Sequence, residues 1–434
     1  MLVVLSLIIL SVSLLIGIPV AFSFTITVAY LVFIGGYDPS FLLPYGFSKM
    51  NTIVILAIPL FILSGGLINR SQMGDKLVSI IELFVGRIKG GMGVVAIISC
   101  AAFGAVTGSA CATLSAIGSV MFPKLEKAGY PTGHSAAIMA NASVLGMLIP
   151  PSSIMILYAW TGQTSVLACF LSSVIPGIIL VILMSLVNMW LLRNNKNLVL
   201  GKKFEKKEFK QQLILRSKKG IPAILMPVLI LGGIYGGFVT PTEAAAVSVF
   251  YVLPIGFLVY KGLTWKGVRE TLIESSVTTG TIMIMLYVIM ILSRIYIMED
   301  LPQLVMSFLF SISKNKNIIF IFINIFMIMV GMLMDDVSAV LLVTPILLPV
   351  VKNLGMSPIH FAAIVGVNLG FGNVTPPTAP LLYLASQLNG AKATETLAVT
   401  LYMLVFAWVP TLIVTTYVPA LSEWLPKLVL GINF

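Results

Sequence analysis

Two stretches of the chain set adjacent prolines inside apolar surroundings: GMLIPPSS, with Pro150 and Pro151, and NVTPPTAP, with Pro376 and Pro377. Proline has no amide hydrogen and its ring clashes with the preceding turn, so a helix stops there. The carbonyls of the last turn lose their intrahelical partners. Proline suits the first position of the helix that follows. Each stretch therefore makes two half-helices that meet end to end. One offers carbonyl oxygens and the negative end of a dipole, suited to a bare cation; the other offers amides and a positive end, suited to a carboxylate. In lipid every unsatisfied backbone group is costly, so such a break has to line a cavity enclosed by protein. The hydroxyls of Ser152, Ser153, Thr375 and Thr378 either bond the freed backbone groups or face a ligand. The plain alternative is that Pro-Pro only kinks a helix. Two copies, both beside Gly and Ser, Thr or Asn, argue for the break.

A second interruption lies upstream of each break. FGAVTGSACATLSAIGS (103–119) is rich in small residues. It fits tight helix packing or a re-entrant hairpin whose tip, near Thr107–Thr113, reaches the cavity with Gly108, Ser109, Cys111 and Thr113. VGMLMDDVSAVLLVTP (330–345) holds Asp335 and Asp336, with Ser338 close by, in an apolar run. A carboxylate at depth costs about 2.5–3.5 kcal/mol on insertion scales and needs a partner, an ion or water. One aspartate is expected to cap a helix starting near Val337 and the other to have an ion-linked role, with no basis for assigning them. Gly146, Gly372 and Asn373 stand just before the breaks. Asn141 and Asn368, in the helices leading to them, supply an oxygen or bond across helices. Glu243 reads as structural, in the first turn of a helix capped by Thr240 or Thr242. Arg294 reads as a snorkelling cation. His134 and His360, without acidic neighbours, read as interfacial.

The elements that position these residues recur. At a constant offset of 226, FPKLEKAGYPTGHSAAIMANASVLGMLIPPS from Phe122 matches LPVVKNLGMSPIHFAAIVGVNLGFGNVTPPT from Leu348 at nine positions. Chance would give roughly two or three. Pro150–Pro151 meets Pro376–Pro377, and the chain's two histidines are partners. The sequence thus divides into a first repeat (1–192, hairpin near 99–121, broken helix near 135–160), a basic loop (193–219) and a second repeat (220–434, hairpin near 328–351, broken helix near 359–388). An odd number of crossings per half would invert the second repeat, and two broken helices of opposite sense can meet at the bilayer midplane.

Composition sets the class. Of 434 residues 59% are hydrophobic and 9% charged. Apolar runs near 20 residues, such as Leu2–Val20, Val166–Leu192 and Leu397–Val418, can each cross a core about 30 Å thick. We expect an all-α polytopic membrane protein with on the order of ten spans; the spans are too long for a β-barrel. The first run lacks a basic flank and a small-residue cleavage site and is read as a span, not a signal peptide. The net charge is +11, of which 193–219, with ten Lys/Arg and two Glu, carries +8. That loop is read as cytoplasmic by the positive-inside rule, with both termini outside; a juxtamembrane loop explains it without nucleic acid. Cys100, Cys111 and Cys169 lie in apolar stretches and have neither disulfide nor metal spacing. No HExxH, Walker loop or GxSxG occurs, which argues against an enzyme and against direct use of ATP.

The motifs GGFVTPTEAAA (236–246), FGAVTGSACATLSAIG (103–118), Gly129-Tyr130-Pro131, GMLIPPSS, GMLMD (331–335) and NVTPP, in this order, resemble the large, DctM-like membrane subunit of tripartite ATP-independent periplasmic (TRAP) transporters over nearly the whole chain. One departure is Thr378-Ala379, where that family usually has glycine shortly after the second Pro-Pro. The resemblance implies a bacterial inner-membrane protein and sodium-driven uptake of acidic solutes such as C4-dicarboxylates, sialic acids or 2-oxo acids. It implies a small four-helix membrane subunit as a separate chain and a periplasmic binding protein. The hairpins and broken helices would move against a scaffold, elevator fashion. Sodium ligands would be backbone and hydroxyl oxygens around Ser109–Thr113, Gly146–Ser152 and Gly372–Thr378, with no organic cofactor. The rival expectation is a standalone sodium/dicarboxylate symporter of related inverted-repeat architecture, needing no binding protein.

Overall fold

The computed structural model describes residues 2–199, 205–376 and 378–431, the side chains of Lys206 and Ala393 excepted. All regular structure in these residues is helical. In chain order the first half contains α1 (Leu2–Leu15), α2 (Val20–Gly35), α3 (Pro39–Met50), α4 (Ala57–Arg70), α5 (Met73–Val85), α6 (Gly91–Thr107), α7 (Ala110–Lys127), α8 (Thr132–Ser143), α9 (Leu145–Leu148), α10 (Ser153–Thr161) and α11 (Val166–Leu192). The second contains α12 (Lys206–Tyr235), α13 (Pro241–Pro254), α14 (Trp265–Met298), α15 (Leu301–Ile312), α16 (Lys316–Leu333), α17 (Asp336–Asn353), α18 (Pro358–Asn373), α19 (Pro380–Asn389), α20 (Ala393–Met403), α21 (Val409–Tyr417) and α22 (Ala420–Leu430).

The register seen in the sequence extends to helix ends. α7 and α17 both start and finish 226 residues apart, and α8 and α18 start 226 apart. α14 starts 226 residues after α3 but runs unbroken, whereas the first half is interrupted between Met50 and Ala57 by the 3-10 turn Ile53–Leu56. The short helices α5 and α15 each follow a residue in left-handed conformation, Gln72 and Asp300.

The two hairpins, α6–α7 and α16–α17, open at opposite ends of α11, which is 27 residues long, or about 40 Å. Before its start, Gly162 lies against Thr344 and Leu348 of α17. Beyond its end, Val199 N–H donates to Ala128 O, at the base of α7, over 3.0 Å. The repeats are therefore inverted. After each break the chain crosses over: α10 packs on α17, and α19 packs on α7.

Two sequence expectations are corrected and a third is narrowed. By length and composition seven helices among the described residues can cross a membrane, or eight if the bent pair α8–α10 is one span, against the order of ten expected. The apolar helices α1, α2 and α6 have only 14, 16 and 17 residues. The first run stops at Leu15, because Gly17 turns left-handed and Pro19 follows. The basic segment 193–219 is not all loop: α12 begins at Lys206, where Lys, Glu, Gln and Leu are strong helix formers. Its first turns lie on α5, with Phe209 edge-on to Phe84 and Arg216 donating to Ser79 O. The Thr240–Glu243 capping box forms at the start of α13. Arg294 stacks over Phe41 and Tyr45.

Candidate binding site at the helix breaks

The first hairpin turns at Gly108 and Ser109. Gly108 adopts a left-handed φ of 62°, which closes α6 as glycine favours. Ser109 is extended at the N-cap of α7, and its hydroxyl makes no capping bond. This tip is laid on the first break. Ser153 donates its hydroxyl to Gly108 O over 2.7 Å. A Cβ on Gly108 would come within 2.8 Å of Pro151 O, and one on Gly146 within 2.4 Å of Thr113 Oγ1 and 2.9 Å of Ser109 O. Thr113 and Thr107 share a hydrogen bond of 2.9 Å.

At the break itself α8–α9 and α10 are bent by 45°. The carbonyls freed by Pro150 and Pro151 are met by hydroxyls: Ser152 donates to Met147 O and Ser173 to Leu148 O. That satisfies groups which would otherwise be stranded in a buried, apolar setting.

The second tip repeats the plan with different chemistry. Asp335 caps α17, accepting from Val337 N and Ser338 N at 3.1 and 3.2 Å and from the Ser338 hydroxyl. Asp336 accepts from the Asn373 side-chain amide. Of the two roles expected from the sequence, the cap falls to Asp335; Asp336 faces the break, held by Asn373. Thr375 donates to Phe371 O and Thr378 to Met332 O. Gly372 and Gly331 bring the helices α18 and α16 into backbone contact. Pro376 is half-buried, and Pro377 lies outside the described residues. Ala379 takes a left-handed φ of 38°, the conformation glycine favours.

The halves meet beyond the breaks, where α19 packs on α7 and α10 on α17. The structure therefore brings Gly108, Ser109, Cys111, Thr113, Gly146, Pro150, Pro151, Ser152 and Ser153 into one cluster. It brings Asp335, Asp336, Ser338, Gly372, Asn373, Thr375, Pro376 and Thr378 into a second. All four hydroxyls flanking the prolines bond backbone carbonyls. Each oxygen still keeps lone pairs that can accept a cation.

Asn141 and Asn368 take the cross-helix role. Asn141 Oδ1 accepts from Trp408 Nε1 at 2.9 Å, and its amide donates to Ala137 O. Asn368 donates to Asn324 Oδ1 and to Ile364 O. Asn324 in turn donates to Thr416 Oγ1. The two histidines tie equivalent helices, His134 to Asn188 of α11 and His360 to Thr415 O of α21. Sequence reasoning missed Ser173, Gly331, Trp408 and Gly104, on which an added Cβ would lie 2.3 Å from Gly146 Cα. Gly104 and Gly331 stand inside motifs already singled out, and neither meets a glycine at the 226 offset. Ser173 and Trp408 lie in apolar helices and carry no local signal.

The family described as "Tripartite ATP-independent periplasmic transporter, DctM component" matches residues 7–421. The chain belongs to this DctM family. Its members are transporter permease subunits, not enzymes. The chain is 32% identical to the C4-dicarboxylate TRAP transporter large permease protein DctM of Pseudomonas aeruginosa, covering 88% of each chain. It is 30% identical to the sialic acid TRAP transporter large permease protein SiaM of Vibrio cholerae, covering 96% of each. It is 31% identical to the isethionate TRAP transporter permease protein DctMQ of Oleidesulfovibrio alaskensis, covering 94% of this chain and spanning 64% of that protein's length. The YdaH transporter of Alcanivorax borkumensis shares the fold, with a TM-score of 0.57, 13% identity, and coverage of 86% of this chain and 87% of that one. The two clusters thus sit in a DctM-family permease, a multi-pass membrane transporter.

Proposed function

We propose that this DctM-family subunit carries a small acidic organic solute into the cell, driven by sodium, and takes it from a periplasmic binding protein. The C4-dicarboxylates and sialic acid named for its relatives support an acidic solute. The observation that carries the reading is the pairing of two hairpin tips with two helix breaks. The α7 tip has an uncapped helix N-terminus and a hydroxyl, Ser109, free to meet a carboxylate. The α17 tip has two carboxylates and clustered backbone oxygens, the hard ligands sodium prefers. Sodium ligands are assigned to backbone oxygens near Ser109 and Gly146 and to backbone and hydroxyl oxygens near Gly372 and Thr375, the Ser109 hydroxyl and the α7 amides being left to the carboxylate, and Asp336 supplies local negative charge. A separate small membrane subunit of four helices completes the assembly in the inner membrane, with the basic segment in the cytoplasm and both termini in the periplasm. The hairpins and broken helices move as one body against α1–α4 and α12–α14.

Uptake of labelled succinate, sialic acid and 2-oxo acids into proteoliposomes tests this, with an imposed sodium gradient and with or without binding protein. Uptake that needs both sodium and binding protein is expected. Uptake indifferent to sodium would overturn the coupling, and uptake without binding protein would favour the standalone symporter.

A further inference from the structure

A cavity of about 660 Å³ lies between α3 and α14 on one side and the ends of α10 and α17 on the other. It sits at the start of α11, the end away from the basic segment, so the positive-inside rule places it on the periplasmic face. Lys49 and Lys352 line it, and no lining residue among those described is acidic. A third cation stands behind the wall: the Arg294 guanidinium lies 5.4 Å from the ring of Tyr45, a lining residue. The nearby Glu299 is engaged by the Tyr37 hydroxyl. Thr161 lines the cavity, its hydroxyl buried behind the wall without a hydrogen-bond partner. The lining continues up α17 to Thr344, eight residues or about 12 Å from Asp336.

We propose that this cavity is the periplasmic entry vestibule for the acidic solute, with Lys49 and Lys352 gathering carboxylates at the seam between the two bodies. A low-dielectric cleft lined by one sign of charge raises the local concentration and arrival rate of the opposite ion. The two lysines come from opposite walls, Lys49 from α3 and Lys352 from α17, so an anion between them screens their mutual repulsion. The proposal rests on the acidic-solute reading above, so its test has a readout independent of transport.

That test labels Ser48→Cys, a position on the cavity wall, in the full assembly in spheroplasts. The probes are membrane-impermeant thiosulfonates, one bearing a sulfonate and one a trimethylammonium group. The unsubstituted chain is the blank for Cys111. At low salt the anionic probe is expected to react about tenfold faster than the cationic one, relative to their rates with a free thiol. Lys49→Gln with Lys352→Gln is expected to abolish that preference, and so is high salt. No labelling from the periplasmic side, or a preference that survives the double substitution, would overturn the vestibule. In transport, the double substitution should raise KM several-fold and leave the maximal rate unchanged; a fall in maximal rate alone would also overturn it. Loss of sodium dependence in the unsubstituted protein would instead count against the function proposed above.

Discussion

The contact between α16 and α18 can be tested by adding single methyl groups. A Cβ on Gly372 would lie 2.6 Å from Gly331 C, 2.7 Å from Gly331 Cα and 2.8 Å from Ile328 O. All three atoms are backbone, so no rotamer change relieves the clash. Carbon atoms rest about 3.5–4.0 Å apart, and α16 would have to shift by about 1 Å. Overpacking of this kind costs up to about 3 kcal/mol. The helix-propensity gain of Gly→Ala returns at most about 1 kcal/mol. Gly372→Ala should therefore destabilise by about 2 kcal/mol. On Gly331 the nearest atom to an added Cβ is Leu369 O at 3.1 Å, which a shift of a few tenths of an ångström accommodates, so Gly331→Ala should be nearly neutral. Gly232, in α12, has nothing within 4 Å of an added Cβ, and Gly232→Ala should stabilise. Thermal melting of the purified complex reads the series, with Gly372→Ala lower by a few degrees. If Gly372→Ala melts with the parent or above Gly331→Ala, the backbone contact that seats the second tip on its break is misdrawn.

Asp335→Ala removes the α17 cap and should cost about 1 kcal/mol of stability. Asp336→Asn should leave the melting point near its parent and weaken sodium dependence of uptake about tenfold; an unchanged sodium titration would remove Asp336 from the site. Trp408→Phe keeps the ring stacked on Phe371 but leaves the buried Asn141 Oδ1 unpaired, which should cost about 1–3 kcal/mol; adding Asn141→Leu should recover part of that loss. Ala379→Gly relieves a left-handed alanine and should raise the melting point, by about 1 kcal/mol in stability terms; no rise would mean that Ala379 is unstrained. Gly65→Cys with Thr107→Cys places Cβ atoms about 3.5 Å apart, within disulfide reach. Oxidation should stop uptake and reductant restore it, and full uptake with the disulfide formed would refute motion of the first tip against α4.

The parts of the site written in backbone chemistry were legible. Pro150 and Pro151 stop one helix, α18 ends at Asn373 ahead of Pro376, Gly108 closes a turn, and a Thr240–Glu243 box caps a helix from within four residues. Local rules suffice for these because the partners are neighbours in sequence. Asn141 illustrates the opposite case: its partner Trp408 is 267 residues away, and no pattern around either residue points to the other. Without that contact an oxygen in a helix leading to a break looks the same whether it binds an ion or braces a neighbour. The span count was legible only as an order of magnitude. Apolar length marks what a bilayer tolerates, but it does not fix where a helix ends, and α1 and α2 are short helices that keep exposed apolar side chains.

The symmetry of the scaffold makes the asymmetry of the tips informative. α7 and α17 are equal in length and in register, so their N-termini carry the same dipole, each at its own helix break. At those ends the first repeat has Ser109-Ala110 where the second has Asp335-Asp336. Two identical tips would attract the same ion and leave a transporter with no means of holding unlike partners together. With the α17 dipole answered by Asp335 and a further carboxylate beside it at Asp336, that tip repels an anion and favours a cation. The α7 tip, with Ser109 uncapped, keeps its positive end available. In the function proposed above, a cation held at the breaks would lower the cost of an anion at the α7 N-terminus, and each solute's binding would strengthen the other's by the same factor. Coupling of this kind needs no charge relay, only two copies of one fold that differ at the residue where each helix begins.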